Sequence, residues 1–327
     1  LEYWEADPQT RVILLYLESL GNPRRFMQIA RRVARKKPIL VVKSGRTEAG
    51  ARAASSHTGS LAGLDVAVDA LFGQAGVLRT DTIEELFDLA LLLASQPVPK
   101  DNRVAILTNA GGPGIMASDA CDSRGLELPS LSPATDAALR EFLPEEASTK
   151  NPVDMIASAT ADSYEKALRL LLADDNVDAA LVLFVPPIVT EAQGVAEAIL
   201  RAAAGATKPV LTCFLGTHGI PQALSSLRHG KIPSYSFPEA AAIALSRAVR
   251  YGRWLARPQG TFPELLGVSA DKARLALAGP RTTDETGRWL APDRVRDLLT
   301  AYGIRALQTV LVQDPAQAAE AAERIGF

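Results

Sequence analysis

Cysteine is scarce in this sequence, and the two that it holds, Cys121 and Cys213, stand far apart. They provide neither the spacing of a zinc site nor a disulfide framework, which fits a reducing cytoplasm. No apolar run approaches the ~20 residues of a membrane span, and the first residues do not form a signal peptide. Basic charge is not in excess either, because the formal net charge is -2, whereas nucleic-acid-binding domains are usually basic. We therefore expect a cytoplasmic protein that binds neither nucleic acid nor membrane, and we predict no metal site in these residues.

Apolar residues are abundant instead. They make up 47% of the 327 residues and charged residues 22%, which is ordinary for a soluble protein with packed cores. A chain of this length predicts roughly two domains. Strand-like apolar runs alternate with helical patterns along it, which predicts an α/β fold with doubly wound parallel sheets.

The first unit contains three predicted strands, at 12–17, 39–43 and 77–79. Helices are predicted at 23–37, at 61–74 and from Asp81 or Thr82 onward, where Asp81 and Glu84 have the spacing of a capping box. A doubly wound domain needs more strands, and the chain starts without Met. We therefore expect the opening strands to lie upstream in a longer polypeptide.

The second unit contains five predicted strands, at 103–108, 125–128, 179–185, 209–214 and 232–235, with helices between them. Prolines near residue 98 mark the boundary between the two units. We expect a linker at 258–290, because this stretch is rich in Gly and Pro and poor in periodicity. Residues 291–327 have a helix–strand–helix pattern that is too short for a domain. The predicted segments are thus 1–98, 99–257, 258–290 and 291–327.

A stretch of 17 small and polar residues, from Ser44 to Ser60, separates a strand from a helix and carries one histidine, His57. Loops of that length in α/β units are usually functional or disordered. Neutral imidazole is a good nucleophile near pH 7, and its phosphoramidate has a high transfer potential. Thr58, Gly59 and Ser60 precede a helix, where backbone N–H groups bind anions. The pattern favours a phosphohistidine site, and a surface histidine is the alternative.

Glu18 follows the first strand and Lys43 ends the second. Ligands of open α/β sheets gather at the carboxyl ends of the strands, so Glu18 and the loop of His57 are expected at the same edge. A carboxylate there would orient the imidazole through its second nitrogen. A solvated or helix-capping glutamate is the alternative.

The segment NAGGPG joins a predicted strand to a helix and contains Gly111, Gly112 and Gly114. Glycines let a backbone approach an anion, and the helix dipole favours negative charge. Pro113 fits helix initiation. The segment matches neither a Walker A loop nor GxGxxG, so a phosphate site and a tight turn both remain open.

Two further features have structural alternatives. Asn151 and Asp154 stand in NPVD, which is a turn signal and also a candidate for the vicinity of a substrate, as is Lys43. The segment 24–37 carries seven basic residues, which would suit the phosphates of a ligand but more often form a solvated helix face.

The combination of SSHTGSLAG and TNAGGPG, with VILLYLES, GVLRTDTIEELFDLA and TKNPVDM, resembles the NDP-forming acyl-CoA synthetases, the superfamily that includes succinyl-CoA synthetase. The resemblance covers essentially the whole chain. It implies two flavodoxin-like domains, the first one incomplete, and the truncated start of an ATP-grasp domain at 291–327. The implied reaction interconverts acyl-CoA, NDP and phosphate with free acid, CoA and NTP.

The resemblance also assigns roles to residues. It implies phosphorylation of His57 in the SHTG loop, a steadying role for Glu18, and a helix start at Gly111, Gly112 and Gly114 that faces the phosphate. It implies CoA or acyl-CoA, and ATP or ADP with Mg²⁺, as ligands of the whole enzyme. The nucleotide and metal sites would lie in the remainder of the ATP-grasp domain.

The chain departs from the family pattern by lacking the N-terminal CoA-binding domain and nearly all of the ATP-grasp domain. We expect those domains as partners in cis or in trans, a homo-oligomer, and no complete cycle in this chain alone. Bacterial protein lysine acetyltransferases that fuse a synthetase-like region to a Gcn5-type domain are the alternative. Their synthetase part often lacks the histidine, so an intact SSHTG favours a synthetase.

Overall fold

The computed structural model describes residues 1–45, 65–187, 190–216, 220–260, 265, 267–278, 281–284, 287–307 and 309–326. Residues Leu1–Arg257 form one compact unit and Pro258–Phe327 form another.

The first sheet has three parallel strands in the order β1-β2-β3. They are β1 (Ile13–Leu17), β2 (Ile39–Lys43) and β3 (Val77–Thr80). The helices around them are α1 (Glu2–Ala6), α2 (Pro23–Ala34), α3 (Asp65–Ala75) and α4 (Ile83–Ser95). The four apolar residues of β2 are all buried, as expected for the middle strand of a covered parallel sheet.

The start of α4 differs by one residue from the predicted capping box. Thr82 is the N-cap, and its hydroxyl accepts from the backbone N–H of Glu85 at 3.1 Å. The carboxylate of Glu85 in turn accepts from the backbone N–H of Asp81 at 2.8 Å. The predicted pair of Asp81 and Glu84 was therefore wrong by one position, although the reciprocal capping it described is present.

The second sheet has five parallel strands in the order β5-β4-β6-β7-β8. This is the doubly wound flavodoxin-like order. The strands are β4 (Val104–Thr108), β5 (Val153–Asp154), β6 (Ala179–Phe184), β7 (Val210–Phe214) and β8 (Ser234–Tyr235). The helices are α5 (Gly111–Ser123), α6 (Pro133–Arg140), α7 (Ala161–Ala173), α8 (Ala192–Ala203), α9 (Ile220–His229) and α10 (Pro238–Ala256).

The outer neighbour of β4 is assembled from three pieces, and this corrects the strand predicted at 125–128. Glu127 forms a single parallel bridge with Arg103 beside the start of β4. Next along the strand, the Asn151 side chain accepts from Ile106 N at 2.9 Å and donates to the Val104 carbonyl at 2.8 Å. The two residues of β5 then pair with the end of β4. A side-chain amide thus replaces the middle of a strand, and the fifth strand lies at 153–154.

Helix α10 packs against α4 and α5. One apolar cluster includes buried residues of the first sheet, of α10 and of one face of the second sheet. A separate cluster covers the opposite face of the second sheet beneath α7 and α8. Apolar packing therefore joins the two sheets within the unit Leu1–Arg257.

The stretch 258–290, expected to be a linker, contains regular structure. It includes α11 (Ala270–Ala278) and an antiparallel pair of β9 (Arg281–Asp284) and β10 (Gly287–Leu290). Helices α12 (Pro292–Ala301) and α13 (Pro315–Ile325) follow. The assignment of 291–327 to an ATP-grasp domain stays a prediction. In the described part of the chain, no helix is long and apolar enough to cross a membrane.

Candidate functional site

The carboxyl edge of the first sheet brings Glu18 and Lys43 together. Leu17 and Lys43 are partners in the β1–β2 register, and Ser44 N donates to the Leu17 carbonyl at 3.0 Å. Glu18 directly follows Leu17, and both Glu18 and Lys43 are half-buried. The edge predicted for these two residues is the edge at which they lie.

Lys43 is held in an unfavourable setting for its charge. Burial lowers the pKa of Lys43, Asp65 raises it, Arg79 lowers it and Glu18 raises it, and the result is a pKa below the usual lysine value. Its ammonium donates to the Ser44 carbonyl. A positive charge that is partly removed from water can stabilise an incoming anion more strongly than an exposed lysine can.

The predicted residues His57, Thr58, Gly59 and Ser60 lie outside the described residues. The described chain ends at residue 45 on the carboxyl side of β2 and continues at Asp65, the first residue of α3. The phosphohistidine assignment therefore stays a prediction, flanked by a described edge that carries Glu18 and Lys43.

The NAGGPG segment occupies the topological switch point of the second sheet. The strand β4 precedes it, and the chain places β5 on one side of β4 and β6 on the other. Ligands of open α/β folds bind in the crevice at such a point. Helix α5 begins at Gly111, and its N-cap Ala110 offers no side-chain hydrogen bond. The first turn thus lacks a side-chain cap, as do those of α8, α10 and α12, and its N–H groups remain available to an anion at the switch point.

The three glycines of this helix start meet different surroundings. A Cβ at Gly111 would lie 3.3 Å from Oδ2 of Asp154, and a Cβ at Gly114 would lie 3.2 Å from Cγ2 of Thr108. At Gly112 no described atom lies within 4 Å of that position. Tight packing therefore disfavours a side chain at Gly114, whereas no described contact explains the glycine at Gly112.

Asn109 is a residue to which the sequence analysis gave no role. Its side chain is buried, donates to the Val185 carbonyl at 2.8 Å and accepts from Val185 N at 2.9 Å. This pair of hydrogen bonds ties the end of β4 to the end of β6 beside the start of α5. Its position in the NAGGPG motif was the one available signal, since its partner is 76 residues away.

Asn151 and Asp154 have structural uses. The Asn151 amide bridges the backbone of β4 and also donates to the Pro129 carbonyl at 3.2 Å. Its expected place beside a substrate stays a prediction. Oδ1 of Asp154 accepts from Ile156 N at 3.0 Å. Oδ2 of Asp154 lies beside Gly111, so this residue does border the glycine turn.

The structure thus assembles two edges separately. Glu18 with Lys43 forms one, and the glycine turn with Asp154 forms the other. Among the described residues, no hydrogen bond or ion pair joins the two edges, and no group of three or more His, Cys, Asp or Glu could hold a metal ion.

Two family models match the chain in succession. The succinyl-CoA ligase like flavodoxin domain matches residues 1–93, and the ligase-CoA domain matches residues 104–261. The chain belongs to the NDP-forming acyl-CoA synthetase family. The two matches fall on the first and the second parallel sheet respectively.

Curated relatives are similar in sequence to this chain over most of its length. It is 37% identical to acetate–CoA ligase [ADP-forming] I of Archaeoglobus fulgidus over 100% of this chain and 46% of that protein. It is 42% identical to the alpha subunit of acetate–CoA ligase [ADP-forming] II of Pyrococcus furiosus over 77% of this chain and 56% of that one. These matches give no support to the acetyltransferase alternative.

A solved structure is also similar. The dinucleotide forming acetyl-coenzyme A synthetase 1 of Ca. Korarchaeum cryptofilum, in complex with phosphate and ADP, has a TM-score of 0.74 and 37% identity, and the similarity covers 78% of this chain and 56% of that one. The chain spans about half the length of the curated relatives that it matches.

Proposed function

We propose that this chain supplies the phosphohistidine part of an ADP-forming acyl-CoA synthetase. The observation that carries the proposal is the similarity to ADP-forming acetate–CoA ligases across both sheets. The geometry agrees with it, because an uncapped glycine-rich helix start stands at the switch point of a flavodoxin-like sheet.

His57 would act as the phosphoryl relay. Phosphate attacks the thioester of an acyl-CoA, and CoA leaves as the thiol while an acyl phosphate forms. A ring nitrogen of His57 then attacks phosphorus, the P–O bond to the acyl group breaks, and the acid leaves as a carboxylate. The phosphoryl group finally passes from His57 to a nucleoside diphosphate, which gives the triphosphate and restores the neutral imidazole.

The Glu18 carboxylate would hold the imidazole by accepting a hydrogen bond from its N–H, which leaves the other ring nitrogen free for attack. Its half-buried place at the carboxyl edge, immediately beside the chain that leads to His57, supports this role. Lys43 at the same edge would neutralise the phosphate oxygens. Thr58, Gly59 and Ser60 would add backbone donors.

The start of α5 would bind the phosphate through the N–H groups of Gly111 and Gly112. Its missing side-chain cap supports this assignment. The relatives bind or form ADP according to their names, so ADP is the proposed nucleotide, with Mg²⁺ bound outside the described residues of this chain. Assembly with further domains or subunits, and a homo-oligomeric state, belong to the same proposal.

Phosphorylation of the complete protein with γ-labelled ATP and Mg²⁺ tests the proposal. We expect an acid-labile, base-stable phosphoprotein that releases its label on addition of ADP. His57→Ala should abolish the label. His229→Ala is the matched control, because His229 is an exposed histidine whose Nδ1 contacts the Ser225 carbonyl at 2.7 Å on α9. Full labelling of the His57→Ala protein would refute the proposed relay.

A further inference from the structure

A groove of about 750 Å³ lies in the unit Leu1–Arg257, with β3 and α3 on one side and α10 on the other. None of Glu18, Lys43, Gly111, Gly112 and Gly114 lines it. The described lining of the groove therefore shares no residue with either candidate phosphate edge, although Arg79 on its wall acts electrostatically on Lys43. Its size falls in the range of small-molecule sites, which is roughly 300–1,000 Å³.

Five arginines line this groove: Arg79, Arg124, Arg247, Arg250 and Arg257. The two inner ones are neutralised. Arg79 is paired with Asp65 at 2.7 Å and Asp69 at 2.5 Å. Arg247 contacts Asp81 at 3.2 Å and Glu85 at 2.8 Å. These pairs fix the walls of the groove.

The other three arginines have no such partners. In the described part of the chain, no carboxylate lies within ion-pair distance of Arg124, Arg250 or Arg257. Partial burial lowers the pKa of Arg250 and the neighbouring charge of Arg247 lowers it further, whereas the Asp69 carboxylate raises it. Asp69 and Asp81 also line the groove, but they are paired with Arg79 and Arg247. Five guanidinium groups against two lining carboxylates leave a local excess of positive potential.

The aromatic wall of the groove is already covered. Trp254 stacks on Tyr251 with 6.3 Å between ring centroids and an interplanar angle of 10°. The Arg35 guanidinium lies 4.6 Å from the centre of the Trp254 ring. Phe72, the third aromatic residue of the described lining, is buried, as are Tyr251 and Trp254. The described lining thus offers no open aromatic face to a nucleobase, so a ligand would be recognised by its charge.

We propose that this groove binds a diphosphate group through Arg124, Arg250 and Arg257. The planar guanidinium fork matches phosphate oxygens in a bidentate way, and several arginines suit a group with more than one phosphate. The diphosphate can be free pyrophosphate, the tail of a nucleoside diphosphate or the diphosphate of CoA. The base contributes little to this binding.

Isothermal titration of the 327-residue chain with pyrophosphate, ADP, GDP, CoA, AMP and orthophosphate tests the site. We expect ADP and GDP to bind alike, and AMP and orthophosphate to bind about tenfold more weakly than pyrophosphate. The relative affinities of pyrophosphate, ADP and CoA identify the source of the diphosphate. In Arg124→Gln/Arg250→Gln, pyrophosphate affinity should fall by about tenfold or more.

Arg31→Gln is the matched control, since Arg31 is an exposed arginine of α2 outside the groove. It should keep the full affinity. Orthophosphate bound at the start of α5 is recognised because it is unchanged in the double variant. The proposal is overturned if pyrophosphate does not bind, if the double variant loses as much affinity for orthophosphate as for pyrophosphate, if the double variant binds pyrophosphate as before, or if Arg31→Gln loses as much affinity. Circular dichroism and thermal unfolding confirm that the variants are folded. This outcome is independent of His57 phosphorylation.

Discussion

The side chain of Asn109 exchanges two hydrogen bonds with the backbone of Val185, one of 2.8 Å to its carbonyl and one of 2.9 Å from its N–H. These bonds join the ends of β4 and β6 at the switch point. They also fix the strand from which the glycine turn and α5 emerge. This clamp of Asn109 on Val185 positions the candidate phosphate site, but Asn109 is not one of the proposed hydrogen-bond donors to the phosphate.

Replacement of Asn109 should therefore cost stability. Asn109→Ala leaves one N–H and one carbonyl of Val185 without their partner, and we expect a loss of about 2–4 kcal/mol in the free energy of unfolding, measured by urea denaturation. Asn176→Ala is the control, because the exposed Asn176 makes a single side-chain bond to the Ser130 carbonyl at 3.1 Å. Equal effects of the two substitutions would contradict the clamp.

Alanine substitutions at Gly112 and Gly114 should distinguish a glycine needed for packing from one needed for the close approach of a ligand. Gly114→Ala drives a methyl against the buried Thr108, and we expect a loss of about 1–2 kcal/mol. Gly112→Ala meets no described atom within 4 Å and should gain up to about 1 kcal/mol, because alanine is the better helix former.

The same pair of variants reports on the proposed phosphate site. If phosphate approaches Gly112, the Gly112→Ala protein should be at least as stable as the parent and yet carry less phosphohistidine label. Thermal unfolding and labelling of the complete protein are measured side by side. A fully labelled Gly112→Ala protein would remove Gly112 from the site.

Alternation of strands and helices was enough to predict parallel α/β sheets, because apolar runs the length of β2 and β6 leave little ambiguity. The split neighbour of β4 was not predictable, since the side chain of Asn151 supplies hydrogen bonds that no strand pattern encodes. The clamp from Asn109 to Val185 depends on a contact between distant residues. The local motifs were thus enough to predict the candidate edges, whereas the side chains that hold those edges in place could be identified only from the folded structure.

Asp174 should give the chain part of its acid sensitivity. Burial raises the pKa of this carboxylate, but the backbone N–H groups of Asn176 at 2.9 Å and Ser132 at 2.8 Å, with the hydroxyls of Thr135 and Ser132, lower it below its ordinary value of 3.8 overall. The carboxylate therefore stabilises the fold above the pKa of the unfolded state. That contribution is lost as the pH falls through the lowered folded pKa.

The test compares Asp174→Asn with the parent across pH. We expect Asp174→Asn to lose about 1–3 kcal/mol above about pH 4, and the difference should shrink as the pH falls further. Asp175→Asn, at an exposed neighbour, should change little at any pH. A pH-independent deficit in Asp174→Asn would show that the charge of Asp174 is not responsible.

Lys43 should be a residue whose charge lowers stability but serves function. Because its folded pKa lies below that of the unfolded chain, the unfolded state binds the proton more readily, and stability rises as the pH rises through the lowered pKa. Lys43→Met should therefore be modestly more stable than the parent at pH 7, with an advantage that fades in alkaline solution.

The phosphohistidine label of Lys43→Met should nevertheless fall, since the variant lacks the cation proposed to face the phosphate. Lys100→Met, at an exposed position, should alter neither quantity. A partly buried charge that costs stability is retained where activity requires it. A Lys43→Met protein that is less stable and labels fully would contradict both the electrostatic setting and the proposed role.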